Sequence, residues 1–137
     1  MILVDAGPCV ALFDPQDAQH TRCREVLRPL REPLYTTVPV LTEAFHMLSP
    51  GSYGSDNLRE FIGRGRPLVW FLGQADLQRA FELMDQYANH LIDLADASLI
   101  VAAEALRTRR IFTVDRGGFA TYCIRRGHRY SNVGVVA

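Results

Sequence analysis

The chain alternates between short, continuous apolar runs and longer segments whose apolar residues recur at helical spacing. The apolar runs lie at positions 2–4, 34–37, 68–72 and 111–115. Runs of this length are typical of buried strands, and the segments between them have the period of helices. The alternation predicts an α/β fold in which a mostly parallel sheet is covered on both faces. The connections are too short for separate domains, so we expect a single domain over residues 1–137.

Two of the helical segments carry acidic residues. Pro39 opens one of them, whose stripe of Val40, Leu41, Ala44, Phe45 and Leu48 has Glu43 on its flank. A shorter helix is expected from Ser55, with the hydroxyl of that serine as its cap. The segment 94–107 is apolar almost all round, which predicts a buried helix, yet Asp93 and Asp96 stand at its entrance.

Composition adds limits to this picture. The chain has 137 residues, of which 48% are hydrophobic and 22% charged, as expected for one globular domain with its own core. Fifteen arginines balance fifteen acidic residues, so no overall field attracts nucleic acid or a membrane. The three cysteines have neither disulfide nor zinc spacing, which favours a reducing, cytoplasmic location. No apolar run is long enough to span a bilayer.

Four acidic residues are predicted to meet at one edge of the sheet. Asp5 and Asp115 follow predicted strands, and the carboxyl ends of parallel strands border the functional crevice of such sheets. Asp96 lies on the apolar face of the helix 94–107, where an unpaired carboxylate is costly. With Glu43 these acids form a cluster whose repulsion a divalent cation would relieve, and all-oxygen ligands favour Mg²⁺ or Mn²⁺. Hydrolysis of a phosphodiester is the reaction that such a site predicts.

Five of the charged residues have alternative interpretations. Asp96 can also be an acid that the positive end of the helix dipole stabilises. Asp93 can cap the helix by accepting a hydrogen bond from the backbone of Asp96, or it can support a metal. Arg116, beside Asp115, is a candidate for binding phosphate, as are Arg64 and Arg66, although a solvated surface explains these arginines equally well.

The sequence lacks the patterns of other common enzyme chemistries. Its four histidines have no zinc spacing and no arrangement with serine and aspartate that indicates a nucleophilic triad. Neither a GxxxxGK loop nor a GxGxxG fingerprint is present, which argues against nucleotide-cofactor chemistry.

In the order and spacing of its acidic motifs, the sequence resembles the PIN-domain toxins of VapBC-type toxin–antitoxin pairs. The resemblance rests on four segments in order, which together span nearly the whole chain: "VDAGPCVALFDPQDAQH", "TTVPVLTEAFHML", "DLADASLIVAAEAL" and "IFTVDRGGFATY". It implies a PIN-like α/β/α sandwich, Mg²⁺- or Mn²⁺-dependent endoribonuclease activity, a cognate antitoxin and a homodimer.

The resemblance also implies roles for individual residues. It assigns the catalytic cluster to Asp5, Glu43, Asp96 and Asp115, with Asp5, Asp96 and Asp115 as the metal ligands. Thr113 matches a position where the family often has a hydroxyl near the site, and Asp93 matches an acidic position of some members. The chain departs from the pattern at residue 7, which is glycine where many PIN domains have Ser, Thr or Asn. Backbone groups or water would have to replace that contact.

Two other functions remain open at this point. One is a housekeeping nuclease that processes structured RNA or cuts DNA, because a cation cluster can cleave either polymer. The other is a catalytically silent PIN-like module that binds RNA or protein. The presence of all four acids argues against the silent module.

Overall fold

The computed structural model describes residues 1–115, 123–126, 129–132 and 134–136. Within these ranges, five parallel strands form one sheet and two antiparallel strands form a separate hairpin. The strands are Ile2–Val4 (β1), Leu34–Thr36 (β2), Leu68–Val69 (β3), Arg110–Phe112 (β4), Cys123–Arg126 (β5), Arg129–Asn132 (β6) and Gly134–Val136 (β7). The helices are Ala6–Phe13 (α1), His20–Leu27 (α2), Val38–Leu48 (α3), Tyr53–Gly63 (α4), Gln74–Gln86 (α5) and Leu94–Leu106 (α6).

The order of strands in the parallel sheet is β3-β2-β1-β4-β7. The central strand β1 is fully buried and pairs with β2 on one side and β4 on the other. The register aligns Leu3 with Ile111 and Val4 with Phe112. The residues that follow β1 and β4 therefore leave the sheet side by side, at the same edge.

Helix α6 has more buried residues than any other described helix, as its apolar circumference predicts. Eight of its thirteen residues are buried. Arg79 of α5 forms a bidentate ion pair with Glu104 of α6. Its Nε and Nη2 donate to the two carboxylate oxygens at 3.0 and 3.1 Å. This packing fixes the position of the α6 N-terminus, where Asp93 and Asp96 lie. No described helix has the length and apolar character needed to cross a membrane.

Two of the sequence-based predictions about local structure are wrong. Helix α4 begins before Ser55, because the hydroxyl of Ser52 accepts a hydrogen bond from the Ser55 backbone N–H at 3.0 Å and so caps the helix. The run 68–72 forms only the two-residue strand β3, which lies at the edge of the sheet instead of being buried. The sequence also predicts a short helix from Phe119, after the last of the apolar runs, and this segment lies outside the described residues.

Candidate active site

Asp5 is a buried carboxylate at the point where β1 ends and α1 begins. It is only 8% exposed, and it accepts a hydrogen bond from the backbone N–H of Ala6 at 2.8 Å as the N-cap of α1. The hydroxyl of Thr113 donates to the other carboxylate oxygen, also at 2.8 Å. The Thr113 hydroxyl in turn accepts from the backbone N–H of Asp115 at 3.0 Å. Thr113 therefore links the two acids that the sequence places after β1 and β4.

The α6 entrance contributes a second pair of carboxylates. Asp93 is the N-cap of α6, and its side chain accepts a hydrogen bond from the Asp96 backbone N–H at 2.8 Å. The predicted capping role of Asp93 is thus confirmed. Asp96 lies in the first turn and is partly buried, whereas Asp93 is exposed.

Two buried hydroxyl groups hold the start of α3 against α6. Ser98 donates to the Ala95 carbonyl oxygen at 2.7 Å, and the Thr37 hydroxyl lies 2.6 Å from the Ser98 oxygen. Since the Ser98 proton is committed to Ala95, Thr37 is the donor in this pair. The contact fixes the first turn of α3, and hence Glu43, relative to Asp96.

Burial and the charges of neighbouring carboxylates raise the pKa of Asp5, Glu43 and Asp96. Burial is the largest cause of the raised pKa of Asp5, and the charges of Asp115 and Asp93 add to it against the lowering effect of the Thr113 and Ala6 hydrogen bonds. Burial, followed by the charges of Asp93 and Asp5, raises the pKa of Asp96 from 3.8 to about 7. Burial, Asp93 and Asp5 also raise the pKa of Glu43, which is on the exposed side of α3.

These couplings bring all four predicted acids and Asp93 into one electrostatic cluster, hereafter the acid cluster. Burial and the neighbouring carboxylates raise the pKa of Asp96, whereas the positive end of a helix dipole acts in the opposite direction. Asp93 belongs to the cluster by its charge as well as being a cap. Thr113 lies at the centre of the hydrogen bonds, and Arg116 lies outside the described residues.

Arg64 and Arg66 do not border the acid cluster. Arg64 pairs with Glu60 on the surface of α4. The Arg66 guanidinium lies 5.6 Å from the centre of the Phe61 ring and lines a groove with Phe13, at the end of α1 opposite Asp5. Eight helical residues separate these ends by roughly 12 Å. The prediction that these two arginines bind phosphate at the rim of the site is therefore not supported by their positions.

The donor set fits a divalent cation in chemistry and charge. All five groups are carboxylates, and a hard cation among them would offset their mutual repulsion. Among the residues that the structure describes, no three acidic, histidine or cysteine side chains already have the geometry to hold an ion. Like-charged carboxylates separate from one another without a cation, so binding requires side-chain adjustment.

The site also contains features that the sequence analysis did not identify. The Thr37–Ser98 pair and the side chain of Val114 both depend on contacts between distant parts of the chain. Val114 packs on Gly7, where an added Cβ would overlap Val114 Cγ2. Only a map of contacts reveals such features, although a glycine in the first turn of a helix is a signal that something packs closely there.

Comparison with known proteins agrees with this fold. The chain is 27% identical over 134 residues to Ribonuclease VapC26 of Mycobacterium tuberculosis, covering 95% of this chain and 98% of the relative. It superposes with a TM-score of 0.74 and 16% identity on the crystal structure of Mycobacterium tuberculosis VapC20, described as a "Sarcin-Ricin loop cleaving toxin", covering 81% and 87% of the two chains. No protein-family model matches. The α/β fold prediction and the resemblance to VapC-type PIN proteins are confirmed.

Proposed function

We propose that this VapC-like chain is a Mg²⁺- or Mn²⁺-dependent endoribonuclease, the toxin of a cytoplasmic toxin–antitoxin pair, with one PIN domain over residues 1–137. The observation that carries the proposal is the acid cluster at the carboxyl edge of a parallel sheet, where burial and neighbouring negative charges raise the pKa of Asp5, Glu43 and Asp96. Such a cluster costs stability, so it indicates a functional site. Similarity to a relative named as a ribonuclease supports RNA as the polymer that is cut.

The residues have distinct tasks in this proposal. Asp5, Asp96 and Asp115 hold the cation, which when bound lowers the pKa of water and stabilises charge on a phosphoryl oxygen. The Thr113 hydroxyl orients the Asp5 carboxylate and secures the turn to Asp115. The raised pKa of Glu43 suits it to accept a proton from the attacking water.

An open groove supports a polymeric substrate. It has a volume of about 590 Å³ and runs between α3 and α6, with Glu43 and Asp93 on its walls beside Val38, Pro39 and Leu94. Apolar surface next to carboxylates can receive an unpaired base while its phosphate lies at the acid cluster. We therefore expect single-stranded or loop RNA to be preferred.

A second groove supports the antitoxin as a partner. Arg24, Arg28 and Arg66 line it around an apolar floor that includes Phe13 and Phe61. These three arginines form no ion pair with a carboxylate in the described part of the chain. An acidic, amphipathic segment of an antitoxin would match both the charge and the apolar floor.

Self-association, as a homodimer, is the remaining part of the proposal. Val38, Met47 and Tyr53, on or near α3, are 46%, 55% and 90% exposed, and Leu91 is 87% exposed. Exposed apolar side chains such as these are candidates for a contact between two copies of the chain. We expect light scattering at micromolar concentration to give twice the mass of one chain, and the mass of a single chain would contradict the dimer.

The proposed function is tested by incubating the purified chain with single-stranded RNA, double-stranded RNA and single-stranded DNA. Cleavage of the single-stranded RNA is expected with Mg²⁺ or Mn²⁺, and EDTA should abolish it because the carboxylates repel one another without a cation. Undiminished cleavage in EDTA would contradict the metal mechanism, and cleavage of DNA alone would contradict the substrate. An antitoxin gene beside this one, whose product stops cleavage, would separate a toxin from a housekeeping nuclease.

A further inference from the structure

Gly7 occupies the first turn of α1, where glycine is an unfavourable choice for a helix. Glycine is less favourable than alanine in a helix because of its greater conformational freedom in the unfolded chain. Its presence two residues after Asp5 therefore calls for a reason in the folded structure.

The reason is the side chain of Val114. A Cβ added to Gly7 would overlap Val114 Cγ2 and would lie 3.6 and 3.9 Å from Val114 Cβ and Cγ1. The three atoms nearest to this added Cβ all belong to Val114. The valine therefore lies directly on the helix backbone, in the space that a side chain at position 7 would fill.

Val114 stands between the two residues that join β4 to the acid cluster. Thr113, on one side, donates to Asp5, and its hydroxyl accepts the backbone N–H of Asp115, on the other side. The turn 113–115 thus has a polar attachment to Asp5 and an apolar attachment to Gly7. Both attachments fix how closely the Asp115 backbone approaches the N-terminus of α1.

From this geometry we infer that Gly7 and Val114 act as one positioning unit, which sets the placement of Asp115 in the acid cluster by direct packing of valine on the helix backbone. The inference rests on the proposed function for its activity readout. It also predicts that any side chain at position 7, including the Ser, Thr or Asn of many PIN domains, must displace the Val114 side chain, which is 40% exposed, from this contact. A side chain at position 7 should fit without this displacement when the side chain at position 114 is shortened.

The experiment compares Gly7→Ala, Val114→Ala and the double variant. Gly63→Ala is the matched control, because Gly63 also lies in a helix and an added Cβ there has no atom within 4 Å. Gly7→Ala is expected to raise the Mg²⁺ concentration for half-maximal cleavage by about 10- to 100-fold, the range found when groups that orient metal ligands are altered. In the double variant the new Cβ meets only the Cβ of residue 114 at ordinary contact distance, so most of the affinity should return.

The second readout is metal binding without RNA. The rise in melting temperature on adding Mg²⁺ should shrink in Gly7→Ala, recover in the double variant and be unchanged in Gly63→Ala. Equal Mg²⁺ responses of Gly7→Ala and the wild type would overturn the inference, as would a double variant no better than Gly7→Ala.

If Gly7→Ala does not fold, a folded double variant with a near-normal Mg²⁺ response supports the unit, and an unfolded double variant refutes it. If the wild type binds Mg²⁺ but cleaves no RNA, the proposed function fails while this comparison still decides the inference.

Discussion

Asp5→Asn is expected to reduce RNA cleavage by about 10²- to 10³-fold, the loss typical of removing one preorganised charge partner from an active site. Asp5 is the most buried acid of the cluster, and the proposal makes it a metal ligand. Asparagine keeps the shape of the side chain and serves well as an N-cap, so α1 should remain intact. The variant removes the negative charge that a cation would need.

The same variant should be at least as stable as the wild type in the absence of metal. Burial raises the pKa of Asp5, which means that the folded protein disfavours its charge. Loss of cleavage together with unchanged or raised stability is expected when a functional carboxylate is replaced. Replacing a structural carboxylate would lower the stability of the protein.

Asp14→Asn is the matched control for this prediction. Asp14 lies at the other end of α1, where its side chain accepts a hydrogen bond from the Gln16 backbone N–H at 3.0 Å. Cleavage rates and thermal unfolding should be measured for both variants and the wild type in parallel. If Asp5→Asn cleaved as fast as Asp14→Asn, Asp5 would be only the cap of α1.

The sequence was sufficient to predict the elements whose signals are local. Strand β1 ends in a polar residue after an apolar run, and α6 begins with a polar residue before an apolar segment. The sequence therefore predicts the end of β1 and the start of α6 to within a residue or two. The convergence of Asp5 and Asp115 also followed, because parallel strands end at the same edge of a sheet.

The remaining features depend on choices that local patterns leave open. Ser52 and Ser55 are both acceptable caps, and the structure uses Ser52, whose hydroxyl also donates to the Leu48 carbonyl oxygen at 2.7 Å. The run 68–72 has the apolar composition of a central strand, but its place at the sheet edge follows from the order of strands. The contact of Val114 with Gly7 joins positions more than one hundred residues apart, which no local pattern encodes.

Asp93 shows how a correct local prediction can be incomplete. Its capping hydrogen bond was predicted from its place before a helix, and the structure contains it. Its charge nevertheless contributes to the raised pKa values of Asp5, Glu43 and Asp96. The cap and the electrostatic role must therefore be separated by substitutions that change one of them at a time.

Asp96→Asn is expected to lose cleavage by about the same 10²- to 10³-fold as Asp5→Asn, because it removes a second proposed metal ligand. Asp93→Asn is the matched control: asparagine preserves the N-cap, so this variant should keep its stability and most of its cleavage. Asp93→Ala should instead lower the free energy of unfolding by about 0.5 to 2 kcal/mol, since the capping hydrogen bond is lost.

The pH dependence of stability gives an independent test of Asp96. Its pKa is raised from 3.8 to about 7, so between these values the folded protein holds a proton that the unfolded chain releases. Metal-free stability should therefore fall as pH rises through this window, and Asp96→Asn should flatten that part of the profile. Mg²⁺ competes with the same proton, so its stabilising effect should be larger above neutral pH than below it.

Melting temperatures with and without Mg²⁺ complete the comparison. At ten times its dissociation constant, Mg²⁺ should stabilise the wild type by roughly 1.4 kcal/mol, a shift of a few degrees for a chain of this size. Asp96→Asn should lose most of that shift and Asp93→Asn should keep it. If Asp96→Asn kept both full cleavage and the full Mg²⁺ shift, its raised pKa would reflect burial alone and the proposed ligand set would be wrong. If Asp93→Asn lost both, Asp93 would belong among the ligands, because its cap is preserved in that variant and only its charge has been removed.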